Sequence, residues 1–526
     1  MKKVLTTIVI LAILMSVAMP LTAEYNSEYL LEEGDTKITQ NFAIKKDNTL
    51  WGWGMNDCGQ IGNGTTKMQK LPVKIMSDVV SVTQGFNYSF AIKKDGTLWA
   101  WGSNEYCQLG IGDKGNALYK EEGGYSYKIQ TTPVKVMDNV SKVYTGGGLT
   151  LAIKKDGSLW GWGYNLSHLI YNGKNKGFAE AKQYKLMDNV ASVELGPDNR
   201  CIFVIKKDGT LWFWGYDDDS IVTGGKSTYS EGCEVTKPTK VMDNVASIKT
   251  NLSSWVKIVA ILKKDGTLWT CGYNSWGQVG NGTRKYQKKP AKILDKVKSV
   301  EISSERDTVC IAAIRTDNSL WMWGSNYKYQ IGNGGSGNAK AIENIPIQTK
   351  PIKILNDVAS VYIGDYGQVS AIDTDGALWV WGYSLPVYDV SRNGNSYKVS
   401  TDYFQSKPVK LMDNVVQIRN YEGTTVALKS DKTLWAWGEN TFGTVGNGSL
   451  DDQFEPIMLL NNIQVVTGKF SAVTTDGTLY RWGDCTDYSL GDGSPGTDIV
   501  PVSGMLGNRN EVDVQNVPVS ILTNIM

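Results

Sequence analysis

Apolar and polar positions alternate over short stretches of this chain, and the alternation restarts at regular intervals. In Tyr88-Ser89-Phe90-Ala91-Ile92-Lys93 apolar residues fall at every second place, the period of a half-buried strand. Lys94-Asp95-Gly96 follows. A tight hairpin turn needs positive φ at its centre, and Gly or Asn supplies it with least strain. The chain then runs Leu98-Trp99-Ala100-Trp101 and stops at Gly102, where a Cβ would obstruct close backbone approach. Ahead of the hairpin, Val80-Ser81-Val82-Thr83 is another short strand that ends at Gly85. Beyond it, Pro133-Val134-Lys135-Val136-Met137 reads as an outer strand, since proline suits an edge. The unit predicts four strands, and no stretch of useful length shows a 3.6-residue period.

The pattern recurs nine times, marked by Trp51/Trp53, Trp99/Trp101, Trp160/Trp162, Trp212/Trp214, Trp269/Cys271, Trp321/Trp323, Trp379/Trp381, Trp435/Trp437 and Tyr480/Trp482. The spacing averages about 54 residues, closest to propeller blades among repeat architectures. Asn48 and Asn318 replace the turn glycine in two copies, and Lys432 in a third, where strain is expected. A loop recurs as Gln60-Ile61-Gly62-Asn63-Gly64, Gln108-Leu109-Gly110-Ile111-Gly112 and Gln278-Val279-Gly280-Asn281-Gly282. Recurrence at one place in each unit assigns the indoles, Trp99, Trp101, Trp160, Trp162, Trp321 and Trp323 among them, to packing between blades.

These linked motifs, Asp-Gly-Thr-Leu-Trp-x-Trp-Gly, then Asn-x-x-Gly-Gln-Leu-Gly-x-Gly, then Pro-Val, resemble the repeat of the regulator of chromosome condensation family. The resemblance implies a β-propeller and covers nearly the whole chain after its leader. The usual ring of that family has seven blades, and nine signatures depart from it. The chain ends bear on the count. Residues 36–45 supply inner strands only, and Val517 to Leu522 resembles the outer Pro-Val strand of Leu71 to Ile75. A ring closed by both ends leaves no open sheet edge. The expected fold is therefore all-β: one closed propeller of about nine four-stranded blades, with N- and C-terminal strands sharing a blade. A seven-bladed ring with extra repeats is the alternative.

Residues 1–23 read as a signal peptide, with Lys2 and Lys3, an apolar run from Val4 to Met19, and Ala23 at the cleavage site. The propeller would occupy residues 24–526, secreted or held at the cell surface, with no membrane span after cleavage, as a secreted bacterial-type member of the family. The apolar run falls short of the ~20 residues of a spanning helix. With 54 basic and 53 acidic residues the net charge is +1, which argues against a nucleic-acid partner. The 18 Trp and 56 Gly both track the repeat. The 7 Cys are scattered, with no CxxC, and signal neither a disulfide framework nor a zinc site.

Chemistry-bearing motifs are sparse. His168 is the one histidine; it aligns with Gly59, and its neighbour Ser167 makes no triad. The Gly-x-Gly loops lie between strands, outside the strand-to-helix setting of a phosphate loop. Asp217-Asp218-Asp219 reads as a surface turn rather than a calcium loop, which needs spaced oxygen ligands. The lysine pairs Lys93-Lys94, Lys154-Lys155, Lys206-Lys207 and Lys263-Lys264, each followed by Asp, read as a solvated hairpin rim, with a basic stripe as the alternative. No catalytic, cofactor or metal residue is assigned, and no cofactor is expected.

Long insertions are more informative. They span Asp113 to Gln130, Tyr216 to Thr236, Gly335 to Gln348, Tyr383 to Gln405 and Ser494 to Asn516, all at one place in the unit. A ring would project them to one side. Loops rich in Tyr, Ser, Gly and Asn on a rigid scaffold suit adaptable binding. The expected function is a non-enzymatic, monomeric scaffold that binds a protein or cell-envelope component, with Tyr119, Tyr125, Tyr127, Tyr388 and Tyr397 as anchors. Three other readings remain open: a secreted inhibitor of an extracellular enzyme; a guanine nucleotide exchange activity, implied by the resemblance; and a carbohydrate-active enzyme with carboxylates in the channel.

Overall fold

A computed structural model describes residues 38–39, 41–120, 124–165, 168–170, 178–196, 200–217, 222, 234–253, 256–303, 309–335, 339–340, 346–364, 367–383, 387–390, 397–400, 404–421, 423–467, 470–484, 498–501 and 511–525. The residues expected to form the leader, 1–23, lie outside these. Nine antiparallel sheets follow one another along the chain. We number them as blades one to nine: residues 42–76, 79–137, 140–187, 190–242, 245–294, 297–355, 358–412, 415–460 and 463–522. No helix occurs among the described residues.

Blade two shows how the residues dictate the sheet. Val79–Gly85 is innermost, followed outward by Tyr88–Lys93, Leu98–Ser103 and Ser126–Met137. The hairpin pairs Ile92 with Leu98 and Ala91 with Trp99, and Gly96 turns it at φ 84°. Asn48 and Asn318 turn theirs at 64° and 63°, and Lys432 is held at 70°. A left-handed residue with a Cβ costs roughly 1–2 kcal/mol, so the strain expected at Lys432 is present. Gly102 is needed on two counts. Its φ is 101°, and a Cβ there would lie 2.5 Å from the Asn87 carbonyl oxygen.

The two tryptophans of each unit do different work. Trp101 is fully buried and packs against Phe42, Ile44, Leu50 and Ile61 of blade one. Its indole N–H donates to the Gln60 carbonyl at 2.7 Å. Trp162 enters blade two, Trp214 blade three, Trp323 blade five, Trp381 blade six, Trp437 blade seven and Trp482 blade eight in the same manner. Cys271 fills that place in blade five and packs on blade four beside Phe203 and Val222. The first tryptophan of each pair is only half-buried. Trp99 donates to Thr97 Oγ1 at 2.9 Å within its own hairpin, and Trp160 and Trp321 bond Ser158 and Ser319 likewise.

Trp53 completes the circle by packing into blade nine with Val473, Leu479 and Leu522. Blade one has three strands of its own, and its innermost place is filled from the far end of the chain. Lys45 pairs with Ile525, and the Lys46 N–H donates to the Asn524 carbonyl at 2.7 Å. The equivalent bond in blade two joins Lys94 to Asp78 at 2.8 Å, so Ile525 stands where Val79 stands. The segment from Val517 to Leu522 belongs to Glu511–Leu522, the strand paired outside Leu479–Asp484 in blade nine. The two ends thus share blade one, and the nine-bladed ring is closed.

Candidate protein-binding face

Antiparallel pairing sorts the connections by side. In each blade the turn after the first strand and the loop after the third lie at one end of the sheet. The Asp-Gly hairpin and the link to the next blade lie at the other. All five insertions follow third strands and share the first side. Four of them form hairpins, three of which continue the blade. Ala117–Lys120 pairs with the extended Ser126–Met137, Ala339–Lys340 with Pro346–Leu355, and Asp498–Pro501 with Glu511–Leu522. Val387–Val390 pairs with Tyr397–Ser400 as a separate two-stranded sheet. The insertion of blade four lies mostly outside the described residues.

The hairpin of blade two assembles three of the anticipated tyrosines. Tyr119 opposes Tyr127 in register, with ring centroids 5.0 Å apart, and Tyr125 lies 6.2 Å from Tyr127. Tyr127 is half-buried, with its hydroxyl 3.4 Å from Cys58 Sγ on blade one. Burial, with that thiol beside it, pushes the phenol of Tyr127 up from its ordinary value. Tyr125 is exposed and donates to Glu105 Oε1 at 3.3 Å. The same carboxylate, with burial, raises Tyr106, whose ring lies 5.1 Å from Tyr164 of blade three. The cluster therefore spans three blades. Tyr388 and Tyr397 sit in register opposite Val399 and Val390 on the separate hairpin, away from the blade-two cluster in sequence and sheet.

Exposed aromatics gather on this side. Phe86 lies in the turn after a first strand, and Phe178, Tyr327, Phe404 and Phe454 flank loops after third strands. None of the exposed aromatics among the described residues lies by an Asp-Gly turn. The loops are rigidly built where they join the ring. Asn274, buried, accepts the Val279 N–H at 2.9 Å and donates to the carbonyls of Thr283 and Lys285. Asn56, Asn104, Asn326 and Asn440 accept the same N–H, five residues on.

Other singled-out residues fall into the repeat. Asp217 takes the buried asparagine's place and accepts the Val222 N–H at 3.1 Å, so it is interior rather than part of a surface turn. Asp218 and Asp219 lie outside the described residues. His168 occupies the left-handed place of Gly59 at φ 51°, and its Nδ1 meets Glu234 Oε1 of blade four. In the channel wall Lys249 lies 3.6 Å from Glu301, whose carboxyl burial pushes up and Lys249 partly restrains. Among the described residues Cys58, Cys107, Cys201, Cys271 and Cys310 form no disulfide, and no group of His, Cys, Asp and Glu has the arrangement of a metal site.

The opposite side carries a relay that sequence reading passed over. Thr97 donates from N and Oγ1 to Asp95 Oδ1, at 2.8 and 2.7 Å, and Lys93 Nζ sits 5.5 Å from the Trp99 ring centre. The fixed Asp-x-Thr/Ser-x-Trp spacing was its available signal. Hydrogen bonds from Thr97 hold the Asp95 carboxyl below its usual range, and Asp156, Asp208, Asp265, Asp317 and Asp431 repeat the arrangement.

Fold and repeat together define a nine-bladed β-propeller, and parts of the chain are similar to the regulator of chromosome condensation (RCC1) repeat. Residues 47–92, 95–153 and 265–309 match the model of that repeat, and 79–108 match a second model of the same description. Each of the three longer matches starts at the aspartate of one hairpin and ends beside or within the second strand of the next blade. The chain is 28% identical over 326 residues to the mitochondrial RCC1 domain-containing protein RUG3 of Arabidopsis thaliana, covering 59% of this chain and 66% of that one. It is 26% identical over 340 residues to the ultraviolet-B receptor UVR8 of the same plant, covering 63% and 72%. Against the human E3 ubiquitin-protein ligase HERC2 it is 23% identical over 332 residues, 60% of this chain but 6% of the ligase. These relatives are eukaryotic, so they lend nothing to a bacterial-type assignment. Among solved structures, human WBSCR16 aligns with 80% of this chain and 95% of its own at 17% identity and a TM-score of 0.42. Yeast RCC1 (Prp20) bound to Kap60 aligns with 75% and 88% at 16% identity and the same TM-score.

Proposed function

We propose that this chain is an exported, non-enzymatic scaffold that binds a protein or cell-envelope partner through its loop-bearing side. One observation carries the reading: exposed aromatics and inserted hairpins share that side, while the other is built of Lys, Asp and Gly. Aromatic anchors on rigid supports are the usual centres of binding energy. The relatives named above include a ligase and a light receptor, which supports a shared scaffold more than a shared reaction.

A photo-crosslinking residue at Tyr125 or, on the other side, at Thr374 tests this on native cells. Discrete adducts from Tyr125 alone are expected, with loss of those adducts in a Tyr119→Ala/Tyr127→Ala background whose circular dichroism is unchanged. Equal labelling from both positions would overturn the reading. Export has its own check: the protein's first residue should be Glu24, and an intact Met1 in the cytoplasm would refute it.

A further inference from the structure

Five consecutive blades carry a second lysine in the hairpin: Lys46, Lys94, Lys155, Lys207 and Lys264. Blades six to nine carry Thr316, Thr374, Ser430 and Thr475 there. The first basic residue is committed, as Lys93 is to the Trp99 ring, and the outer-strand lysines are paired, as Lys135 is to Asp138 at 2.7 Å. The five second lysines are exposed, and among the described residues no hydrogen bond or close ion pair engages their ammonium groups, although Lys46 acts at longer range on Asp476 of blade nine.

Their positions are nonetheless set. A Cβ added to Gly96 would lie 2.6 Å from Lys155 Nζ, one on Gly157 2.8 Å from Lys207 Nζ, and one on Gly209 2.7 Å from Lys264 Nζ. Lys46 lies likewise across Gly477, over the closure between blades nine and one. Those four glycines are buried, whereas Gly266 and Gly376, followed by blades with Thr316 and Ser430, are half-buried. These four lysines thus lie across the turn before them, Lys94 occupies the equivalent place in blade two, and the ring arrays the charges as a stepped arc.

The arc's shape selects among anionic partners. A flat anionic surface would meet the whole ring, including Asp373 and Asp375 of blade seven, which have no second lysine beside them. Duplex DNA is stiff over roughly 150 base pairs and cannot follow such a curve. Single-stranded nucleic acid draws much of its affinity from stacking on open aromatic faces, and the indoles of this side are only half-exposed, with Lys93 over Trp99, Lys154 over Trp160 and Lys206 over Trp212. We propose that Lys46, Lys94, Lys155, Lys207 and Lys264 form a binding arc for a flexible acidic polysaccharide. This site is separate from the loop-bearing side.

The experiment measures binding of the full chain, as it occurs after any processing, to labelled polygalacturonate by anisotropy at several salt concentrations. Screening of a linear polyanion gives a log–log salt slope of about −0.7 per charge contacted, hence about −3.5 for five lysines. The variant Lys94→Thr/Lys155→Thr/Lys207→Thr/Lys264→Thr installs the kind of residue that the other blades use. It should bind at least tenfold more weakly, with a slope shallower by about 0.7 per lysine removed. Thr316→Lys/Thr374→Lys should extend the arc and tighten binding with a steeper slope, which keeps the test available if the fourfold variant fails to fold. Unchanged affinity in either folded variant overturns the proposal. So does equal, lysine-dependent binding to anionic vesicles or to an oligothymidylate, since either would name a different partner. Tyr119→Ala/Tyr127→Ala should leave polysaccharide binding intact.

Discussion

Truncating Trp162 to Ala tests the wedge that joins blade to blade. The indole is fully buried among Tyr88, Phe90, Ile92, Leu98 and Leu109, and its ring centre lies 6.3 Å from that of Phe90. Removing such a side chain costs about 3–5 kcal/mol in transfer and cavity terms. The N–H bond to the Gln108 carbonyl, 2.8 Å, adds about 1 kcal/mol and no more, because Thr150 Oγ1 still donates to that carbonyl at 2.9 Å. The backbone should not close the gap, since Gly110 is held at φ 72° by its own turn. Trp160 provides the internal comparison. It is half-exposed and bonded within its hairpin, so losing roughly 100 Å² of covered apolar surface costs about 2–3 kcal/mol. Urea unfolding followed by near- and far-ultraviolet circular dichroism should therefore rank Trp162→Ala below Trp160→Ala by about 2 kcal/mol. A difference under about 0.5 kcal/mol would refute the division of labour between the two indoles.

Lys432→Gly should stabilise the ring by about 1 kcal/mol, because it relieves a left-handed lysine at φ 70°; a lower midpoint in urea would count against this. The aspartates of the hairpin relay have folded pKa values below the unfolded one, so their contribution is complete above the ordinary carboxylate range and fades as pH falls through the folded values. Acid titration should show less loss of stability in Asp95→Asn than in the native chain, and identical curves would remove the relay as a source of acid sensitivity.

Much of the architecture was legible because it is repeated. Leu-Trp-x-Trp-Gly announces strand and turn together, and strand parity puts the two indoles on the same face. Parity alone could not tell which face lies against another blade, so Trp99 and Trp101 looked alike in sequence. Their difference arises from the Thr97 hydroxyl, which captures one indole locally. The buried place of Asp217 was hidden for another reason. It reads as one of three adjacent acids, and only alignment with Asn56 and Asn274 in space reveals an interior bracket. The loop-bearing side was foreseeable from the common position of the insertions, whereas the convergence of Tyr127 on Cys58 of another blade depends on ring geometry that no local pattern encodes.

The pairing of Lys45 with Ile525 has a bearing on biogenesis. Nearly the whole described chain separates these residues, so bringing them together carries a large loop-closure cost in entropy. During synthesis the first sheet must wait, with its inner edge unpaired, until the final residues emerge. An unfinished molecule is an open crescent with a sticky margin at each tip, able to join another crescent as readily as itself.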